Sequence, residues 1–150
     1  MKYYYLQQRS HRREKEIKHL RAVIISTYLE IQVFAALSLG LQLAVFLFHG
    51  WPNSSEKFYD ISGSATHFTL VSYALLHSSH NTTNSVFAAV VSYVWMARLG
   101  TFLYKRILRD GKDERFDRIK PVWLSFLGAW TIQALWVLLI QLPVILLCGA

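Results

Sequence analysis

The chain has 150 residues, of which 53% are hydrophobic and 17% charged, and a formal net charge of +7. Its charges cluster between long apolar runs, which excludes an ordinary soluble domain and points to a chain that crosses a bilayer. The bases flank those runs without a basic-aromatic groove pattern, so they are read as phospholipid headgroup anchors, with membrane lipid and not nucleic acid as the partner.

In chain order, residues 1–21 (MKYYYLQQRSHRREKEIKHLR) form a basic polar tail, expected to be solvated on the headgroup side with at most one or two helical turns. The apolar run after the tail exceeds the roughly 7–15 residues of a cleaved signal core, so an uncleaved anchor is expected. The first span covers residues 22–48, longer than the ~20 residues that hydrocarbon requires. It contains Glu30, Gln32 and Gln42. Glu30 either faces the bundle interior or lies near the surface of an overlong helix.

Residues 49–55 (HGWPNSS) break the helix, with Trp51 suited to the interface and Ser54 or Ser55 expected to cap the second helix. The second span, 58–77, holds Ser62, Gly63, Ser64, Ala65, Thr66 and Thr69. Such small residues let helices approach closely, so this helix is expected inside the bundle. The polar loop after it places His77 and His80 three apart without a third ligand, and no metal site is expected. Asn53 and Asn81 begin glycosylation sequons, both close to the membrane.

The third span, 86–104, carries Trp95 and Arg98, the latter near enough to the helix end to snorkel. Residues 105–120 (KRILRDGKDERFDRIK) hold seven bases and four acids. They read either as a salt-bridged interfacial segment or as a basic loop that meets an anionic cofactor. The fourth span, 122–148, opens after Pro121 and holds Gln133, Gln141 and Pro143, which should kink it. Cys148 cannot pair within the chain and is expected as a small apolar filler.

Residues 22–150 thus predict one transmembrane domain, an all-α polytopic bundle of about four spanning helices. Lys and Arg counts leave its orientation open. The tail and the 78–84 loop hold seven and none, and the 49–60 and 105–120 loops hold one and seven.

Two blocks carry a resemblance. Ser55-Glu56-Lys57-Phe58-Tyr59-Asp60 with Gly63-Ser64 is similar to the S-E-K-x-Y-D-x-x-G-S block of a widespread membrane family of unknown function. Trp95-Met-Ala-Arg98-Leu99-Gly100, Arg106-Ile107 and Gly111-Lys-Asp113-Glu-Arg115-Phe116-Asp117 resemble its W-x-x-R-L-G, R-I and G-x-D-x-R-F-D blocks. Gln133 and Trp136, followed by Pro143, resemble its fourth helix, with Ile132 where Phe is usual. That family belongs to the steroid 5-alpha-reductase superfamily.

The resemblance implies a helical membrane oxidoreductase in which NADPH reduces a carbon–carbon double bond conjugated to a carbonyl, the substrate being a small steroid-like or other lipophilic molecule. It implies Asp60, with Tyr59 beside it, as the group that polarises the carbonyl, and Arg98, Arg106 and Arg115 as contacts to the cofactor. Arg109 and Lys112 are further phosphate candidates in the same loop. Trp95 stands where the superfamily has a third-helix tyrosine. Family members are longer, with most cofactor contacts in their second half, so the chain is expected to be about half of a larger bundle. The competing expectations are a non-catalytic membrane protein that binds lipid or a partner, and a methyltransferase-like relative using S-adenosylmethionine. The family habit implies the endoplasmic reticulum membrane in a eukaryote.

Overall fold

A computed structural model describes residues 2–78 and 82–149, so the expectations for His80 and Asn81 lie outside the described residues. The fold is all-α. Helix α1 spans Lys2–Val45 and runs into a π-turn at Phe46–Gly50; α2 spans Tyr59–His77, α3 Thr83–Asp110 and α4 Trp123–Gly149, with a 3-10 turn at Glu114–Phe116. Three segments are long and apolar enough to cross a membrane: His11–Gly50, Thr83–Asp110 and Trp123–Cys148. The fourth expected span, α2, has 19 residues. At 1.5 Å per residue it is about 28 Å long, but it is not among the segments apolar enough to cross, for a reason its packing explains.

The chain divides into two compact units, Met1–Val33 and Phe34–Ala150. In the first, the expected polar tail is helical from Lys2 onward. The segment RREKEIKHLR consists mostly of good helix formers, and Glu14 and Lys18 pair at 2.8 Å one turn apart. Local propensity therefore extends the helix well beyond the apolar run. Glu30 is exposed on it.

In the second unit α2 is the centre. Its small face is buried, with Ser62, Gly63, Ser64, Thr66 and His67 all shielded. A Cβ on Gly63 would collide with Gln133 of α4, and one on Gly100 of α3 would sit 2.5 Å from Ser64 Oγ. These contacts place α2 against both neighbours at backbone range, as its composition predicted. Such an element needs polar, small side chains more than it needs hydrocarbon. The C-terminal part of α1 joins the same core. Ser38 Oγ donates to Ala134 O at 2.7 Å, Gln42 Nε2 donates to Thr66 Oγ1 at 2.8 Å, and Ser62 Oγ donates to Gln42 Oε1 at 3.0 Å.

Several boundaries differ from expectation. Neither Ser54 nor Ser55 caps α2; Phe58 occupies the cap position without a side-chain bond, and Ser55 Oγ instead accepts from Lys57 N at 3.3 Å. Helix α3 begins three residues early, where Thr82 accepts from Ser85 N, and ends at Gly111, whose φ of +79° suits a residue without a Cβ. Residues 105–110 are consequently helix, and the charged loop proper is shorter than expected. Helix α4 is continuous through Pro143. Cys148 is buried beside Phe34, Leu70 and Ile145, as a filler should be.

Candidate functional site

The site grows from the N-terminus of α2 and the loop after α3. Phe116 drives that loop onto the bundle. It is buried in a cluster with Phe46, Phe126 and Trp130, and its ring lies 4.8 Å edge-to-face from Tyr59. With Phe116 seated, the neighbouring charges are brought to those at the start of α2. Asp113 is the hub. Its carboxylate caps the 3-10 turn by accepting from Arg115 N, takes Arg106 Nη2 at 3.1 Å, and forms a fork with Arg115, whose Nε lies 2.9 Å from Oδ1. Arg106 Nη2 also reaches Asp60 Oδ2 at 3.2 Å. Glu56, buried, accepts from Asp113 N at 2.8 Å and pairs with Lys120.

Electrostatics follow from these partners. For Glu56, burial alone would push the carboxyl up, but the Asp113 amide and the Lys120 ammonium outweigh it, and the carboxyl lies below its ordinary range. Asp113 is held below the usual carboxylate range chiefly by its hydrogen bond with Arg115. The cluster is a clasp: three carboxylates, Glu56, Asp60 and Asp113, against three cations, Arg106, Arg115 and Lys120.

Below the clasp runs a groove of about 330 Å³. Helix α2 floors it with Tyr59, Asp60, Gly63, Ser64 and His67. One wall is α3, through Trp95, Met96, Leu99 and Leu103. The other is α4, from Ile132 to Ile140. Arg115 closes the polar end. This volume lies at the small end of the usual range for small-molecule sites, roughly 300–1,000 Å³, and the apolar walls with a few polar groups have their usual character.

At the far end of the groove a neutral hydrogen-bond ring ties the three helices together. Gln141 Nε2 lies 2.9 Å from His67 Nδ1, His67 Nε2 lies 2.9 Å from Ser92 Oγ, and Ser92 donates to Gln141 Oε1 at 3.2 Å. All three side chains are buried.

Of the residues singled out from sequence, Tyr59, Asp60 and Arg115 line the groove, and Arg106 stands behind Asp60. Arg98 is set apart. It lines a second hollow of about 300 Å³ with Trp95, Leu99 and Phe102. Tyr59 donates its hydroxyl to Ala129 O at 3.1 Å. Arg109 at the end of α3 and Lys112 in the loop pair with Asp110 and Asp117, in line with the salt-bridged reading of that stretch. Sequence reasoning missed His67 and Ser92, and it missed Glu56, Asp113 and Lys120 as partners. The available signal was polar residues at 67, 92 and 141 within otherwise apolar helices. For the clasp, spacing gives no signal, because Glu56 and Asp113 meet across 57 residues. Among the described residues no group of three or more potential metal ligands is found.

No curated protein and no solved structure matches the chain. A family match covers residues 45–150, more than half of the sequence and all of the groove and clasp. The chain belongs to the family described as protein of unknown function (DUF1295), a membrane family within the steroid 5-alpha-reductase-like group.

Proposed function

We infer that this protein supplies the lipid-binding part of a membrane reductase that saturates a carbon–carbon double bond conjugated to a carbonyl, with NADPH as reductant and a flat, steroid-like or other lipophilic molecule as substrate. One observation carries the reading: a groove walled by Trp95, Met96, Leu99, Ile132, Trp136 and Ile140 that ends in Tyr59, Asp60 and Arg115. An apolar body fits its length and a single polar head fits its end. In a eukaryotic cell the reading goes with the endoplasmic reticulum membrane.

NADPH, when bound, would supply the hydride. The clasp by itself does not fit a whole dinucleotide. A pyrophosphate needs several uncommitted N–H donors, whereas Arg106 and Lys120 are held by carboxylates and Arg115 has two of its three nitrogens on Asp113. Arg98 lies among Trp95, Leu99 and Phe102. The cofactor would need cationic groups outside the clasp, and the exposed Arg98 is one. The same observation favours a second reading, a membrane protein that binds lipid without catalysis.

The test has two arms. The protein is reconstituted in phosphatidylcholine nanodiscs with dehydroergosterol, a fluorescent sterol that accepts energy from Trp95 and Trp136. Displacement by 4-cholesten-3-one is expected, and failure of that ketone to displace it overturns the groove. Membranes that carry the protein are then assayed for NADPH oxidation dependent on 4-cholesten-3-one. Enone-dependent oxidation, lowered by Asp60→Asn and by Arg98→Ala with expression retained, supports the reductase. Binding without oxidation leaves the second reading.

A further inference from the structure

A ligand carbonyl requires a hydrogen-bond donor where its oxygen rests, and, apart from the indole N–H groups of Trp95 and Trp136 on the walls, most polar groups along the groove are already committed. Tyr59 O–H is donated to Ala129 O, Gln133 Nε2 to Tyr59 O at 2.9 Å, and Ser64 O–H to Asp60 O at 3.2 Å. His67 is closed into its ring with Ser92 and Gln141. Asp60, paired with Arg106, is an acceptor. Arg115 differs. It is the one cation among the residues lining the groove, and its side chain is 67% exposed. Asp113 engages its Nε and Nη2, while its Nη1 makes no hydrogen bond among the described residues. A guanidinium is a rigid planar fork, so fixing two nitrogens on Asp113 also fixes the direction of the third.

We propose that Arg115 receives the carbonyl oxygen of an uncharged lipophile whose body lies along α2, and that Asp60 holds the clasp and Tyr59 the α4 backbone rather than the ligand. The proposal rests on the groove reading given above and names the recognising group and the charge class of the ligand. The charge class follows from the clasp. Its three carboxylates and three cations balance, and Asp60 lines the same end of the groove as Arg115. A carboxylate or phosphate head would meet a guanidinium already paired with Asp113, with the Asp60 carboxylate nearby to repel it. A ketone oxygen meets no such repulsion, and it gains a charge-assisted bond. Arg115 polarises the oxygen and transfers no proton, because a guanidinium stays protonated. Length agrees as well. Asp60 and His67 are seven residues apart on α2, about 10 Å at 1.5 Å per residue, so the distance between the polar end and the neutral ring matches a rigid polycyclic body.

The test uses the full chain in phosphatidylcholine nanodiscs with 4-cholesten-3-one labelled with carbon-13 at the carbonyl, read by solid-state NMR. The bound carbonyl resonance is expected downfield of its position in protein-free nanodiscs. Arg115→Met should return it to the lipid position and weaken binding roughly 10- to 100-fold, the loss expected for one charge-assisted hydrogen bond. Arg115→Lys keeps a charged donor and should keep part of the shift. Palmitate should compete for the groove far less well than the ketone. Energy transfer to dehydroergosterol shows that each variant keeps its groove. A bound ketone with an unshifted carbonyl in the wild type, or a shift that survives Arg115→Met, overturns the role of Arg115 and leaves the groove standing. A ketone that neither binds nor displaces dehydroergosterol overturns both.

Discussion

The bundle holds two polar clusters that solve the same problem in opposite ways. At the start of α2, Glu56, Asp60, Asp113, Arg106, Arg115 and Lys120 meet as full charges. Two helical turns further along, His67, Ser92 and Gln141 meet as neutral donors and acceptors. The charged cluster lies where α2 begins and the loop after α3 closes over it, so one side reaches water and part of the hydration survives. The neutral ring lies between three helices, where water is excluded and an unpaired charge would cost several kcal/mol. Depth therefore decides which kind of polar contact can join helices. A clasp of ions serves at the end and a ring of neutral side chains serves within.

The comparison breaks most sharply at Glu56. Glu56→Ala leaves the largely shielded Lys120 ammonium and the Asp113 amide without their acceptor, and the expected loss is about 3 kcal/mol, the scale for orphaning one partner of a buried pair. Thermal unfolding in detergent reads it, and an unchanged Tm would show that the clasp is decorative. Acid probes the same contacts. Glu56 and Asp113 both sit below their ordinary pKa in the folded state. Their stabilisation is therefore complete above the ordinary carboxylate range and is lost as pH falls through their own lower values. Tm should be level from neutral pH to about 5 and decline below it, and the decline should shrink in Glu56→Gln.

Gly63→Ala comes next. A methyl there meets the Gln133 side chain, and overpacking of this kind costs roughly 2 kcal/mol. Because Gln133 also holds Tyr59 O, the variant should loosen the polar end of the groove and weaken sterol energy transfer along with Tm. The neutral ring should prove the milder of the two clusters. His67→Phe leaves Ser92 and Gln141 to each other, and hydrogen bonds between membrane helices average about 0.6 kcal/mol, so a loss near 1 kcal/mol is expected. A loss as large as that of Glu56→Ala would overturn the contrast. Smallest is Lys18→Ala on the exposed face of α1, which removes a pair with Glu14 worth at most about 0.5 kcal/mol and should leave Tm unchanged within error.

The solvent, the fold class and the place of α2 are legible in the order of residues alone. Hydrocarbon requires about 20 apolar residues per crossing helix, and that requirement is written locally in the runs behind α1, α3 and α4. Small residues at 62–66 foretold a helix packed at close range, because side-chain size is also a local property. Local signals failed at helix ends. The charged turns of RREKEIKHLR continue α1, and residues 105–110 continue α3, since good helix formers extend a helix whether or not lipid surrounds it. Tertiary structure alone decided which residues act together. Glu56 meets Asp113, and His67 meets Gln141 across 74 residues. No periodicity encodes such pairings, because they arise only once Phe116 and the glycines at 63 and 100 have set how closely the elements approach. The same packing turned motif residues such as Asp60 and Arg106 into a clasp and left Arg115 with a nitrogen facing no protein partner among the described residues.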